Sequence, residues 1–268
     1  MPMSLVKIIP WSFVLLWIIV CHSGWAMGAP NLHGGVTGER LEYSLKWLGI
    51  PAGRATVVTK NHANNHMIFE AEASTIGIAK LFGPIRDRFQ AVTAIRPMGF
   101  TSLDVFKHQR KGDNLRLTHD FFDWKNKILQ RIRVGEETQE LPLVQTTTND
   151  PLTGLFSVRA RPDFGPGKIV QMPVLVGWEI ADVTMRAGPV ERRPGPGGWF
   201  DVFQVTVEIP HSDLFRNPDD LVVWLTADPR RIPLRVESVL RLGRATVDLI
   251  AFEDGRGGRG RYQEEKPP

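Results

Sequence analysis

Few side chains in this chain have both the type and the spacing that catalysis or metal binding requires. Ser157 stands in Gly154-Leu155-Phe156-Ser157-Val158, whereas a nucleophilic serine above a hydrolase sheet needs a Gly-x-Ser-x-Gly elbow. It reads as a polar residue on a short helix. His62 and His66 have the spacing that puts two imidazoles on one helix face for a metal. The intervening Ala63-Asn64-Asn65 is turn-forming, which makes them the ends of a solvated hairpin. His108 and His119 approach each other across a turn at Lys111-Gly112-Asp113-Asn114, with no further ligand placed beside them. Gly195-Pro196-Gly197-Gly198 lacks the lysine that a phosphate-cradling loop carries. No metal and no cofactor is expected.

Acid and base work would fall to carboxylates, and the candidates are Asp87, Asp104, Asp120, Asp123, Asp150 and Asp228. Asp150 has a capping role before Pro151, and Asp228 holds a turn in Ala227-Asp228-Pro229-Arg230. Asp120 and Asp123 lie beside Phe121, Phe122 and Trp124. Spacing brings no two of them together, so no catalytic residue is assigned. The tail Gly255-Arg256-Gly257-Gly258-Arg259-Gly260-Arg261-Tyr262 is basic and glycine-rich, like segments that hold nucleic acid through phosphates. In an exported chain, anionic headgroups or plain solvent fit it better, and nucleic acid is not an expected partner.

The elements that must position these residues are strands. Leu41, Tyr43, Leu45 and Trp47 alternate with Glu42, Ser44 and Lys46, the period of a half-buried strand. Runs of the same kind follow at 55–60, from Met67 to Ala73, and at 88–95, 100–108, 115–122 and 128–134, separated by glycine, proline and asparagine turns. They resume at 168–176, 179–186, 199–209, 221–225, 234–242 and 245–251. Asp150 followed by Pro151, with Leu152, Leu155, Phe156 and Arg159 at helical spacing, predicts a short helix, and 76–82 is a second candidate. Pro189–Gly198 (PVERRPGPGG) predicts an exposed loop. The fold class is mainly β, a single antiparallel meander closing into a barrel, a half-open barrel or a sandwich, with one or two short helices.

Composition agrees and excludes much else. Of 268 residues, 42% are apolar and 23% charged, with 25 glycines and 20 prolines, a globular balance rich in turns. The single cysteine, Cys21, rules out an internal disulfide framework and zinc sites built on paired cysteines. Lys7, the apolar run Ile8–Cys21 and Ser23-Gly24-Trp25-Ala26 form a secretory signal with cleavage after Ala26. The run is too short to span a bilayer. A lipid anchor at Cys21 is the weaker alternative, because Val20 precedes it. The mature chain then keeps 32 basic against 29 acidic residues and no cysteine, suited to an oxidising envelope compartment. The organisation expected is a signal at 1–26, a flexible leader at 27–38, a β domain at 39–252 and a disordered basic tail at 253–268.

Three segments in this order, Leu48-Gly49-Ile50-Pro51-Ala52-Gly53, Asp150–Arg159 (DPLTGLFSVR) and Trp224–Leu234 (WLTADPRRIPL), resemble the exported bacterial family of unknown function DUF3108. That resemblance implies a β-rich domain from about Glu39 to Phe252 in a Gram-negative-type envelope, and supplies no catalytic residues. The expected function is therefore a periplasmic, non-enzymatic domain that binds an apolar or amphipathic envelope ligand, such as a lipid, in its interior. Trp47, Phe69, Phe89, Phe203 and Trp224 are the expected apolar lining, and Arg230 and Arg231 are candidates to meet an anionic group. The alternative is an envelope scaffold with a protein partner, docking through the Pro189–Gly198 loop and the tail. A cell-wall or lipid hydrolase would need two carboxylates sharing a cleft.

Overall fold

The computed structural model describes residues 37–145, 147–210, 215, 217, 219–241 and 243–261. The signal, Cys21, Leu242 and the tail beyond Arg261 lie outside the described residues. Alternation of apolar and polar residues gives β1 (Glu39–Trp47), β2 (Ile50–His62) and β3 (His66–Thr75), each with every second residue buried along most of its length. A 3-10 turn (Gly77–Phe82), stopped by Gly83, leads to β4 (Ile85–Arg96). The meander continues through β5 (Gly99–Lys111), β6 (Asn114–Asp123), β7 (Ile128–Arg133) and β8 (Gln139–Pro142).

Helix α1 (Pro151–Ala160) interrupts it. Asp150 accepts from the backbone N–H groups of Leu152 and Thr153, and Pro151 occupies a first-turn position where no donor is needed. Leu152 to Arg159 are all buried, so the helix lies inside the sheet and shows no polar face. Strands β9 (Ile169–Val176), β10 (Glu179–Gly195), β11 (Gly198–Glu208), β12 (Leu221–Thr226), β13 (Pro233–Leu240), β14 (Gly243–Asp254) and β15 (Arg259–Arg261) complete the chain.

All strands join one antiparallel sheet in the order β8-β7-β6-β5-β4-β3-β2-β1-β14-β13-β12-β11-β10-β9, with β15 added to β14. The first strand therefore meets the last long strand mid-sheet, where β1 pairs with β14 from Glu39 opposite Asp254 to Trp47 opposite Ala245. The sheet edges, β8 and β9, are consecutive strands separated by α1 and are not paired. Side chains and one bridge span the gap instead. Asn149 pairs in parallel with Val174, Arg131 donates to the Gly177 carbonyl at 2.7 Å, and Gln145 donates to Asp182 at 3.0 Å. The result is a half-open barrel with α1 inside it.

Two sequence expectations change. Pro189–Gly198 is not a loop. β10 runs through it and turns into β11 at Pro196-Gly197, with Pro189 in a register shift between Ala187 and Val190 and Pro194 opposite Trp199. Proline at a bulge or turn removes no needed ladder donor. The tail from Glu253 is likewise ordered as far as Arg261. Gly255 and Gly257 adopt φ of 70° and 95°, Asp254 accepts from the N–H of Arg256 and Gly258, and Gly260 packs under the Phe252 ring. Glycine packing of that kind leaves no apolar periodicity to find.

Candidate functional site

The expected interior lining divides into three groups. Phe69, Phe89 and Phe203 are buried. Phe69 stacks on Phe156 of α1 at 4.1 Å between ring centroids and meets Phe100 edge-on at 5.0 Å, so the helix occupies the space in front of it. Trp47 is half-buried at the end of β1. Trp224 faces the other way: Phe203 pairs with Leu225, which puts the adjacent Trp224 on the outer side of the sheet opposite Gln204. There its indole N–H donates to Glu191 at 2.7 Å and Arg193 lies 4.3 Å over its ring.

Ser157 has a structural task. It accepts from the Phe100 N–H at 3.0 Å and donates to the Phe100 carbonyl at 2.8 Å, tying α1 to β5. The approach is close enough that Gly99, with φ of 125°, has the Ser157 backbone 2.8 Å from where a Cβ would stand. Gly99→Ala is expected to destabilise the fold by about 2–4 kcal/mol through this clash and the backbone strain, read as a lower urea midpoint at unchanged m-value.

Arg230 and Arg231 both bond to other groups of the chain, the first part-exposed and the second buried. Arg231 is buried and donates to the carbonyls of Arg159 at 2.6 Å and Arg161 at 2.8 Å, closing the C-terminal end of α1. Burial and the nearby Arg159 charge pull it down to about 10, so it stays protonated at neutral pH. Arg230 pairs with Asp228 at 2.7 Å and reaches Asp254 at 3.4 Å. Beside them Arg159 makes a bidentate pair with Glu39, at 2.7 and 2.6 Å, with both side chains buried.

The carboxylates are dispersed. Asp150 caps α1 and accepts from Ser102 at 2.7 Å. Asp123 holds the β6–β7 turn through Asn126, and Asp104 sits 2.8 Å from His119. Asp120 is fully buried between Arg131 and Lys107, each at 2.5 Å. Burial works to raise its carboxyl, but bonds from Arg131 and the Lys107 charge outweigh that and leave it below the usual range. Asp87 is buried on the inner face, where the Gln109 side chain and the Arg110 backbone approach it without a hydrogen bond of full geometry to either oxygen. Burial raises it to about 6. His62 and His66 face each other across the β2–β3 hairpin. Among the described residues no group of three or more His, Cys, Asp or Glu could hold a metal ion.

A surface feature is more telling than any of these. Midway along strands β5–β7 the polar Lys107, Asp120 and Arg131 point inward beside the core residues Val105, Phe122 and Leu129, while apolar side chains stand on the outer face. Phe106, His119 and Ile132 form one cross-strand row on the outer face, and His108 and Leu117 form the next. Phe106 stacks on His119 at 4.3 Å, while Phe106, Leu117, Ile132 and Val134 remain exposed. These side chains line an open groove of about 590 Å³, bordered by Glu70, Glu72, Arg88 and Gln90. Sequence reasoning does not find it, because alternation along a strand separates two faces without telling which of them a neighbouring element covers.

The fold and this groove define a β-barrel-like protein with an unclosed sheet, an internal helix and an apolar outer channel. A family model described as "Protein of unknown function (DUF3108)" matches residues 42–250, and the chain belongs to that family. Among solved structures, a β-barrel-like protein of the DUF1849 family from Brucella abortus shares 11% identity at a TM-score of 0.50, covering 82% of this chain and 98% of that one. A protein with a YmcC-like fold from Bacteroides fragilis shares 10% identity over 80% of this chain and 94% of that one, at a TM-score of 0.30. The likeness to the Brucella abortus protein is one of fold. No curated protein matches the chain.

Proposed function

We propose that this protein is an exported, non-enzymatic binding protein of the cell envelope that takes an apolar or amphipathic ligand in the outer groove of β4–β7. The observation that carries this is the cluster of exposed apolar side chains on the outer face of three adjacent strands. Exposed Phe106, Leu117 and Ile132 stand side by side where a solvated sheet face would carry polar residues. The groove's volume lies in the range of small-molecule sites. The charged border of Glu70, Glu72 and Arg88 suits a ligand with a polar end. The interior, the place suggested by the sequence, is occupied by α1 beside Phe69.

The test is titration of the purified chain with a dansyl-labelled fatty acid. A Phe106→Asp/Leu117→Asp variant, folded by circular dichroism, is expected to weaken binding at least tenfold, because each charge removes apolar contact. Equal binding by the folded variant would overturn the groove as the site. Export rests on Lys7, the apolar run Ile8–Cys21 and Ala26, and N-terminal sequencing of protein recovered from the periplasm is expected to begin at Met27.

A further inference from the structure

One end of the β1–β6 half-sheet combines two features that folding does not ask for. The β1–β2 hairpin turns on Leu48 and Gly49, with φ of 52° and 81°. A turn with positive φ at both positions favours Asn-Gly, and a leucine there is strained. Leu48 is nonetheless 58% exposed, and its neighbour Ile50 57%. The 3-10 turn beside them adds Ile78 and Leu81, 65% and 83% exposed. Its start is tied to β2 by the bond from the Ile76 N–H to the Ala52 carbonyl. Four large apolar side chains thus project from adjoining tips at the same end of the sheet.

Behind these tips lies a belt of cations. On the outer face Arg54 pairs across strands with Ser74, Ser74 with Arg86, and Arg86 with Arg110. Like charges directly opposite, as at Arg86 and Arg110, destabilise a sheet. Lys80 belongs to the 3-10 turn, and Lys111 borders it at Gly83. None of these five cations makes an ion pair among the described residues, in contrast to Arg88, Arg235 and Arg244, which do.

We propose that this end of the sheet docks on an anionic phospholipid bilayer, with Leu48, Ile50, Ile78 and Leu81 entering the headgroup region and the arginine row lying against lipid phosphates. Charge complementarity selects the occupant: five uncompensated cations next to exposed aliphatic tips match a negatively charged surface with an apolar layer beneath it. One side of Leu48 packs on Gly243 and its N–H bonds the Arg244 carbonyl at 2.9 Å, and the side left exposed serves the membrane contact. The inference is independent of the ligand groove, although the arginine row runs along the same outer face and would orient the groove toward the membrane.

The experiment places an environment-sensitive dye at Leu81→Cys in the full chain carrying Cys21→Ser, and at Met98→Cys, in the β4–β5 turn at the opposite end, as reference. Vesicles of phosphatidylcholine with phosphatidylglycerol, some bearing a quencher on the acyl chain, are added. The dye at 81 is expected to shift to the blue and be quenched, and the dye at 98 to stay aqueous, whatever the N-terminal segment does. Arg86→Glu/Arg110→Glu is expected to weaken the response at 81 at least tenfold while leaving dansyl fatty acid binding unchanged. Leu48→Asn is expected to weaken it while raising the urea midpoint, because it relieves the turn. An aqueous dye at 81, equal responses at 81 and 98, or an unchanged response in the arginine double variant would each overturn the proposal. Loss of fatty acid binding in Phe106→Asp/Leu117→Asp bears on the groove alone.

Discussion

Arg159→Ala is expected to lower stability by about 3–5 kcal/mol, a large share of what holds a domain of this size together. The guanidinium makes two short bonds to Glu39 and one to the Arg230 carbonyl at 2.9 Å, and both partners of the ion pair are out of contact with water. Its removal leaves a carboxylate buried beside Asp254 with only the weaker pull of Arg230 to offset its charge. The size of the effect comes from that orphaned charge more than from the net worth of the pair. Two controls follow. Glu39→Gln/Arg159→Met, which removes both charges, is expected to recover most of the loss. The deficit of Arg159→Ala is also expected to shrink in acid. Burial already pushes Glu39 up against the pull of Arg159, and without Arg159 it takes a proton more readily. Urea midpoints at neutral and acidic pH measure both, and an unchanged midpoint for Arg159→Ala would remove this pair from the account of the fold.

Asp87→Asn is expected to act in the opposite direction and stabilise the protein at pH 8. Asp87 is buried on the inner face between Ala73 and Gln109, and burial outweighs the pull of the Gln109 side chain and the Arg110 backbone and raises it from 3.8 to about 6. That gap corresponds to about 3 kcal/mol. Between the two values the native state holds a proton that the unfolded chain has released, so stability falls as pH rises through this window and is lowest above it. The amide carries no charge to desolvate. Its gain is therefore expected at pH 8, about 2 kcal/mol, and is expected to vanish near pH 4. Thermal melts of both proteins across this range measure it. Parallel curves for wild type and Asp87→Asn would show that Asp87 is not the titrating group.

What was legible in the sequence was what local chemistry decides. Asp150 before Pro151 announced α1 because a cap and a first-turn proline act within a few residues. The alternation at Leu41, Tyr43 and Leu45 announced β1 because one face is buried and the other wet. The inward burial of α1 was hidden, since its residues carry no polar stripe to compare with. Leu221–Leu225 is apolar at every position, so nothing in it tells that Trp224 looks outward. The groove was obscured for a related reason: at β5–β7 the inner face is held by Lys107, Asp120 and Arg131, which satisfy one another only across strands. Their pairing is a property of register, and register is a tertiary fact. The β10–β11 hairpin was masked by prolines whose placement at a bulge and a turn shows only once the partner strand is known.

The pairing of β1 with β14 also governs how the molecule comes into being. Each flank of the sheet is a run of hairpins that closes over short stretches of chain. The seam at Glu39 and Asp254 joins residues from opposite ends of the domain. Contacts of that separation form late, because the entropy of closing so long a loop is met before any bond rewards it. Until the last strand arrives, β1 offers a free edge. If closure of this seam is the rate-limiting step, a substitution in β14 is expected to slow folding more than an equally destabilising one within the outer hairpins, as stopped-flow refolding would read.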